Sequence, residues 1–155
     1  MSLALLLLAA VVAARFVSIG GGLYETALID PVWPENPALI RPGLGGISRK
    51  RFWIPVHAAF ELALVAAVVA WWPEQVVRGW LLAAAASHVA MRGWSAAYFI
   101  PRALRFERGD PSLTRDDARR WARQSWMRLP LDVATALFCA IAFVQALAAA
   151  GLAGR

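Results

Sequence analysis

The residues of this sequence that are best suited to chemistry are ionisable side chains that interrupt otherwise apolar stretches. They form three pairs whose members are four positions apart, namely His57 and Glu61, His88 and Arg92, and Arg128 and Asp132. Side chains four positions apart project from the same face of a helix. We therefore expect each pair to enter a shared polar cavity, and we take all six residues as candidates for catalysis.

One chemistry for this cavity is metal binding. Glu25, His57, Glu61 and His88 form a set of two histidines and two carboxylates, which suits iron, copper or zinc. Helical bundles build metal sites from side chains on facing helices, although the familiar spacing there is Glu-x-x-His and here it is His-x-x-x-Glu. The four residues are candidate metal ligands, with iron or copper as the expected ion.

A haem is the less favoured cofactor. His57 and His88 would be its axial ligands from neighbouring helices. From the helical rise, His57 lies about 8 Å inward from Phe52 and His88 about 18 Å inward from Ile100. An offset of about 10 Å in depth counts against a haem held between the two rings.

Two alternatives need no metal. In the first, a histidine beside a carboxylate is a base with a fixed tautomer, and Arg92 or Arg128 holds an anion such as an enolate or phenolate. In the second, the charges form a buried salt-bridge network with neutral histidines, because unpaired charge is costly in lipid. The expected pairs of that network are Glu61 with Arg92, Asp132 with Arg128, and Glu25 with Arg15. The residues alone leave the three interpretations open.

Membrane helices must position these residues. Hydrophobic residues make up 60% of the chain, and four apolar runs lie at approximately residues 2–28, 52–72, 76–100 and 125–151. Each run is long enough to cross a hydrocarbon core. The sequence therefore predicts an all-α fold, an integral membrane four-helix bundle that forms a single transmembrane domain over residues 1–155. The lipid bilayer is its first expected partner, and homodimerisation stays open because no feature names an interface.

The basic residues behind the net charge of +6 are concentrated on one side of the predicted spans, which indicates how the chain is oriented in a membrane. We therefore expect no nucleic-acid partner. With four spans, loops 1 and 3 share one side and hold most of the basic residues, whereas the other side holds only Arg78 and Arg155. The positive-inside rule then places loops 1 and 3 in the cytoplasm and both termini outside. The expected location is the bacterial inner membrane.

The two cytoplasmic loops are expected to differ in structure. Loop 1, "IDPVWPENPALIRPGLGGISRKR", has four prolines and three glycines and should be long and irregular. Loop 3 should contain a short helix that Thr114 caps, with Asp117 reaching back. That helix is expected to run into the fourth span, with a kink at Pro130.

The segment "YFIPRALRFERGDPSLTRDDARRWARQSWMRLPLDVATAL", together with four short spans and a glycine-rich end to the first, resembles the DUF1772 or anthrone-oxygenase-like membrane proteins. In that family a Pro-containing end of the third span leads into a charged helix, then a Trp and an Arg at the start of the fourth span. Trp121 or Trp126 and Arg128 match those positions. The resemblance implies oxidation of polycyclic phenolic substrates, such as anthrones, by molecular oxygen.

The leading functional prediction is a membrane-embedded oxidoreductase, an oxygenase of a hydrophobic aromatic or phenolic small molecule. Its site would be the polar His/Glu/Arg cavity in the cytoplasmic half of the bundle. One alternative is a small haem- or quinone-binding anchor of an electron-transfer complex, which a Soret band would indicate. The other is a proton-coupled small-molecule exporter that uses Glu25 or Glu61, which substrate-dependent proton release would indicate.

Overall fold

A computed structural model describes residues 2–152 of the chain. The described residues are 84% helical and include no strand, which confirms the all-α prediction. Arg155, which entered the topology argument, lies outside the described residues, as do the two ends of the predicted 1–155 domain.

Four long helices lie side by side. They are α1 (Leu3–Tyr24), α2 (Lys50–Ala70), α3 (Gln75–Trp94) and the last helix, α6 (Leu129–Leu152). Helix α1 packs against both α2 and α6, and α6 also packs closely against α3, whereas close contacts between α2 and α3 are sparse. The α2–α3 side is therefore the loosest side of this helix packing.

Apolar side chains, many of them small, fill the space between the long helices. Leu8, Val11, Phe60, Leu81 and Cys139 are among the fully buried members of this core. Small residues let helices approach closely, and here Ala67, Ala84, Ala142 and Ala146 serve that purpose.

Three helical stretches among the described residues are long and apolar enough to cross a membrane, Leu3–Ile29, Lys50–Ala70 and Arg115–Gly151. These stretches fit an integral membrane protein. Helix α3 has 20 residues but is not among the three, because side chains such as Arg78, His88 and Arg92 lower its hydropathy. Of the four predicted spans, the one at 76–100 is thus the least apolar.

A second hydrophobic cluster forms where α1 and α3 end and α2 and α6 begin. It contains α4 (Ile100–Arg108), α5 (Arg115–Ser125) and the segment between α1 and α2. At its centre the Trp33 ring lies 5.0 Å from that of Phe106 and 5.8 Å from that of Trp121. We call residues 25–49 and 95–128 the aromatic lobe. Loop 1 is thus anchored by Trp33, which is 1% exposed.

The start of α5 agrees with its prediction, and α5 runs on into the fourth long helix as expected. Thr114 and Asp117 form a complete capping box. A 3₁₀ turn over Trp126–Arg128 joins α5 to α6 within one helical stretch, Arg115–Gly151. Pro130 lies in the first turn of α6, where a missing N–H removes no helical hydrogen bond.

Both α1 and α3 continue into a single wider, π-helical turn. These turns cover Glu25–Ile29 and Ser95–Phe99, and the second leads directly into α4. Pro101 follows the second turn and has no N–H to donate, so a local change from α geometry is expected there. The third helical run therefore extends to Arg108, beyond its predicted end at residue 100.

Candidate functional site

Two helices bring a compact group of histidine and carboxylate side chains together. Helix α2 supplies His57 and Glu61, one turn apart, and α3 supplies His88. One possible ligand atom from each of these residues lies within 4.8 Å of the others. The predicted meeting of these three residues in one place is therefore a feature of the fold.

Hydrogen bonds define the state of His88, which is buried. Its Nε2 lies 3.0 Å from Glu61 Oε1, and its Nδ1 lies 3.5 Å from Arg15 Nη1. Because a guanidinium only donates, Nδ1 is the accepting nitrogen and Nε2 carries the hydrogen that Glu61 accepts. This pattern fixes one neutral tautomer of His88.

Arg15 connects this group to α6. Its side chain is fully buried, and its guanidinium pairs with the Asp132 carboxylate and lies 3.4 Å from the Asp132 backbone carbonyl oxygen. It also lies over the ring of Phe60 at 5.2 Å. Charge buried in an apolar setting requires such a partner, and sequence spacing did not identify this one.

Arg92 completes the group on the α2–α3 side. Its Nε lies 3.2 Å from Glu61 Oε1, and the Arg92 and Glu61 side chains are 37% and 44% exposed. The predicted Glu61–Arg92 pair is thereby confirmed. We call Arg15, His57, Glu61, His88, Arg92 and Asp132 the polar site. Arg15 and His88 are its buried members, whereas Glu61 on α2 and Arg92 on α3 are partly exposed.

His57 differs from the other members of the polar site. Its Nδ1 is buried and has no hydrogen-bond partner among the described residues. The ring stacks on Trp53 at 5.3 Å and lies 5.8 Å from the His88 ring. A second unpartnered buried atom, the Ser18 hydroxyl, belongs to the α1 turn that follows Arg15. Most buried polar groups in proteins have partners, so this imidazole nitrogen is an exception within the polar site.

The His57–His88 ring separation corrects the depth estimate. An offset of about 10 Å was expected from the helical rise, but the ring centroids are 5.8 Å apart. The estimate failed because it took Phe52 and Ile100 to lie at the same level, whereas His57 and His88 are equally far along their helices from the facing ends of α2 and α3 at Ala70 and Gln75. Distance therefore no longer counts against haem ligation, although both nitrogens of His88 already have protein partners.

Glu25 lies outside the His57–Glu61–His88 group. It accepts hydrogen bonds from Arg49 Nη1 at 3.1 Å and from Trp53 Nε1 at 2.7 Å. The expected Glu25–Arg15 pair is therefore wrong. Trp53 lies between the two arrangements, since its N–H binds Glu25 and its ring face stacks on His57.

The predicted Arg128–Asp132 pair is also wrong. Asp132 binds Arg15, whereas the Arg128 guanidinium lies 4.4 Å from the Phe99 ring centroid and its Nε donates to the Ser125 carbonyl at 3.4 Å. Two residues four positions apart thus serve different regions, Arg128 in the 3₁₀ turn the aromatic lobe and Asp132 in α6 the polar site.

Sequence reasoning missed a buried carboxylate in the aromatic lobe. Asp30, just beyond the first candidate span, accepts hydrogen bonds from Trp33 Nε1 at 3.1 Å and from the Ser125 hydroxyl at 2.7 Å. Burial, with a further contribution from the Glu25 charge, raises the pKa of Asp30 from 3.8 to about 6. The sequence feature that could have indicated Asp30 is its position three residues before Trp33, in a long proline-rich loop.

The fold and the polar site define the class of molecule, an all-helical chain with membrane-length helices and a His–Glu–Arg group in which Arg15 and His88 are buried. Comparisons with protein-family models, curated proteins and solved structures find no match. The resemblance to DUF1772 or anthrone-oxygenase-like proteins accordingly stays a prediction.

Proposed function

We propose that this chain is a membrane-embedded oxygenase in which His57 removes a proton from a hydrophobic phenolic substrate. The observation that carries the proposal is the buried Nδ1 of His57, which has no hydrogen-bond partner among the described residues. A general base needs a lone pair that no other group occupies. Of the two histidines only His57 offers one, because both nitrogens of His88 face protein partners.

All four long helices cross the bilayer in this proposal, including the less apolar α3. The aromatic lobe holds most of the arginines, so the positive-inside rule favours a cytoplasmic lobe and external termini. A bacterial inner membrane is the matching location. The polar side chains of α3 are tolerated because ionisable residues in spans face the protein interior or a cavity.

The α2–α3 side provides the route for the substrate. Glu61 and Arg92 are 44% and 37% exposed there, so an apolar molecule in the bilayer reaches them without passing through water. Arg92 would hold the phenolate or enolate oxygen, since a guanidinium stabilises negative charge that develops at its edge. Glu61 fixes both Arg92 and His88, and Arg15 and Asp132 fix His88 from the other side.

The reaction balances without an added reductant. His57 takes a proton from the activated methylene carbon, and that carbon donates electrons to molecular oxygen and forms a carbon–oxygen bond. The proton returns to the peroxide oxygen, and the hydroperoxide loses water to give a ketone. One methylene and one O₂ thus become one carbonyl and one water.

A metal centre is the second candidate, because the donor atoms of His57, Glu61 and His88 converge within 4.8 Å. Two histidines and one carboxylate form the ligand set of non-haem iron oxygenases, and a bound iron would supply oxygen activation. The fit is incomplete. A metal on His88 Nε2 would require the hydrogen on Nδ1, where the Arg15 donor lies 3.5 Å away.

Oxygen uptake by detergent-purified protein with anthrone as the probe tests the proposal, with a protein-free blank for slow autoxidation. We expect His57→Gln to lower the rate about 10²- to 10⁴-fold, the usual contribution of a general base. The matched control is Cys139→Ala, a buried site that no chemistry here uses. Uptake no faster than the blank, or an unchanged His57→Gln rate, would contradict the proposal.

Elemental analysis of the same samples separates the two candidates. The acid–base proposal expects activity that does not follow metal content. If iron or copper is bound in stoichiometric amount, and if His57→Ala and His88→Ala both lose it together with activity, the metal centre is correct instead.

A further inference from the structure

A groove between α4 and α5 carries three arginines outside the polar site. Arg102 and Arg105 come from α4 and Arg120 from α5, and they line a cavity of about 240 Å³. Tyr98, from the π-helical turn, donates its hydroxyl hydrogen to the side-chain carbonyl of Gln124 on α5. We call this cavity the arginine groove.

Two of the three arginines have no ionic partner. Arg105 is committed, because its Nε donates to Asp110 and its Nη2 to Ser112, both at 2.7 Å. Arg102 and Arg120 form no ion pair with any residue between 2 and 152. The Arg102 guanidinium lies 3.8 Å from the centroid of the Tyr98 ring, which holds it at the wall of the groove.

The groove contains one acidic side chain, Asp117, against its three arginines, so its charge offsets only part of theirs. Asp117 accepts hydrogen bonds from the backbone N–H of Thr114 at 2.9 Å and from its hydroxyl at 2.7 Å, as the capping box requires. The groove therefore presents two guanidinium groups, whose planar donor arrays match the oxygens of a phosphate.

The surroundings of the groove favour a lipid over a soluble anion. It begins at the π-helical turn that ends α3, and the exposed side chains of Trp94 and Ile100 flank that turn. Trp126 and Met127, also exposed, follow the end of α5. Tryptophan is enriched at the headgroup level of membranes, and basic pockets beside spans bind anionic headgroups.

We propose that the arginine groove binds the phosphate of an anionic phospholipid headgroup through Arg102 and Arg120. The inference uses the membrane location of the chain but none of the chemistry of His57. Failure of one proposal therefore leaves the other intact. The site would fix the level and tilt of the aromatic lobe on the bilayer surface.

The test is a titration of the full-length chain in neutral detergent with dioctanoyl phosphatidylglycerol, followed by native mass spectrometry. Dioctanoyl phosphatidylcholine serves as the zwitterionic comparison. We expect the double variant Arg102→Gln/Arg120→Gln to bind phosphatidylglycerol about 30-fold more weakly, from roughly 1 kcal/mol for each arginine near an anionic headgroup. Its oxygen uptake with anthrone should not change.

The matched control is Arg108→Gln/Arg123→Gln, which makes the same charge change on the same two helices. Both of these arginines are exposed and lie outside the groove lining, so affinity should change little. If the double variant loses helicity, Arg120→Gln alone should still weaken binding about fivefold.

Three results would overturn the proposal. Equal losses in the groove and control variants would mean attraction by net charge without a site. Equal affinity for phosphatidylcholine would remove the role of the anionic headgroup. Displacement of the lipid by inorganic phosphate at equal concentration would mean a soluble-anion site.

Discussion

In the aromatic lobe every acidic side chain has a hydrogen-bonding or ionic partner, whereas the polar site contains a buried histidine nitrogen that has none among residues 2–152. Glu25 binds Arg49 and Trp53, and Asp30 binds Trp33 and Ser125. The other acidic residues of the lobe also have partners. Glu35 binds Arg115 and Arg119, Glu107 binds Arg49 and Lys50, and Asp110 binds Arg105. Asp116 binds Arg119, and Asp117 binds Thr114. His57 Nδ1, by contrast, is buried and free.

The difference indicates two uses of charge within one chain. In the lobe, ion pairs and hydrogen bonds hold loop 1 against α4 and α5. Between the long helices, Arg15 and Asp132 form a support for His88, and His88 and Arg92 orient Glu61. An unpartnered buried nitrogen lowers stability, and among residues 2–152 the lobe has such nitrogens too, in the guanidinium groups of Arg41 and Arg49. The acid–base proposal gives the nitrogen of His57 a use.

The largest expected loss in the free energy of unfolding comes from removing the Arg15 guanidinium, which contacts both His88 and Asp132. Arg15→Met would leave the Asp132 carboxylate unpaired in apolar surroundings, which costs about 3–5 kcal/mol for a buried pair. Equilibrium unfolding in mixed micelles measures the loss. The double variant Arg15→Met/Asp132→Leu removes both charges and should recover most of it. Equal stability of the single and double variants would show that the pair does not support the polar site.

A smaller effect is expected at Asp30, in the aromatic lobe. The pKa of Asp30 is raised to about 6 in the folded chain, mainly by burial, so the folded lobe binds this proton more tightly than the unfolded chain does. Its contribution to stability is complete below about pH 4 and is lost as the pH rises through about 6, by up to roughly 3 kcal/mol.

The fluorescence of Trp33, whose N–H binds Asp30, together with unfolding curves between pH 4 and 8, checks this prediction. Asp30→Asn should remove that part of the pH dependence. Asp110→Asn is the matched control, because hydrogen bonds from Ser112 and Arg105 hold the pKa of Asp110 at about 2, below the pH range of the experiment. Parallel wild-type and Asp30→Asn profiles would disprove the assignment.

The smallest expected effect is at Trp53, which touches both regions. Trp53→Phe removes the 2.7 Å hydrogen bond to Glu25 and keeps an aromatic ring to stack on His57. Since Glu25 retains Arg49, the expected loss in unfolding free energy is about 1 kcal/mol, with oxygen uptake unchanged. A rate as low as that of His57→Gln would mean that Glu25 positions the base through Trp53, and the two regions would then work as one.

The sequence predicted those features that depend on neighbouring positions. Apolar runs of sufficient length identified α1, α2 and α6 as membrane-length helices, and the Thr114–Asp117 spacing identified the start of α5. The convergence of His57, Glu61 and His88 followed from the four-residue spacing of the pairs, although the depths estimated for the two histidines differed by about 10 Å.

Features that depend on how helices are rotated against one another were not predictable. Arg15 and Asp132 meet because α1 and α6 turn these faces together, and no local pattern encodes that rotation. Spacing instead suggested Arg128 as the partner of Asp132, because the two lie one turn apart on the same stretch. Asp30 and Ser125 are separated by most of the chain, and their contact depends on the folded path of loop 1.

The π-helical turn over Ser95–Phe99 is equivalent to one residue inserted into an α-helix. One residue advances a helix by about 100°, so this single insertion sets the angular phase of everything that follows it in the run. Without it, Phe106 would point away from Trp33, and Arg102 would leave the side of α4 that faces α5. A one-residue deletion between residues 95 and 99 would therefore turn α4 by about 100° relative to α3 and break the contact of Phe106 with Trp33, although neither of those two side chains is altered.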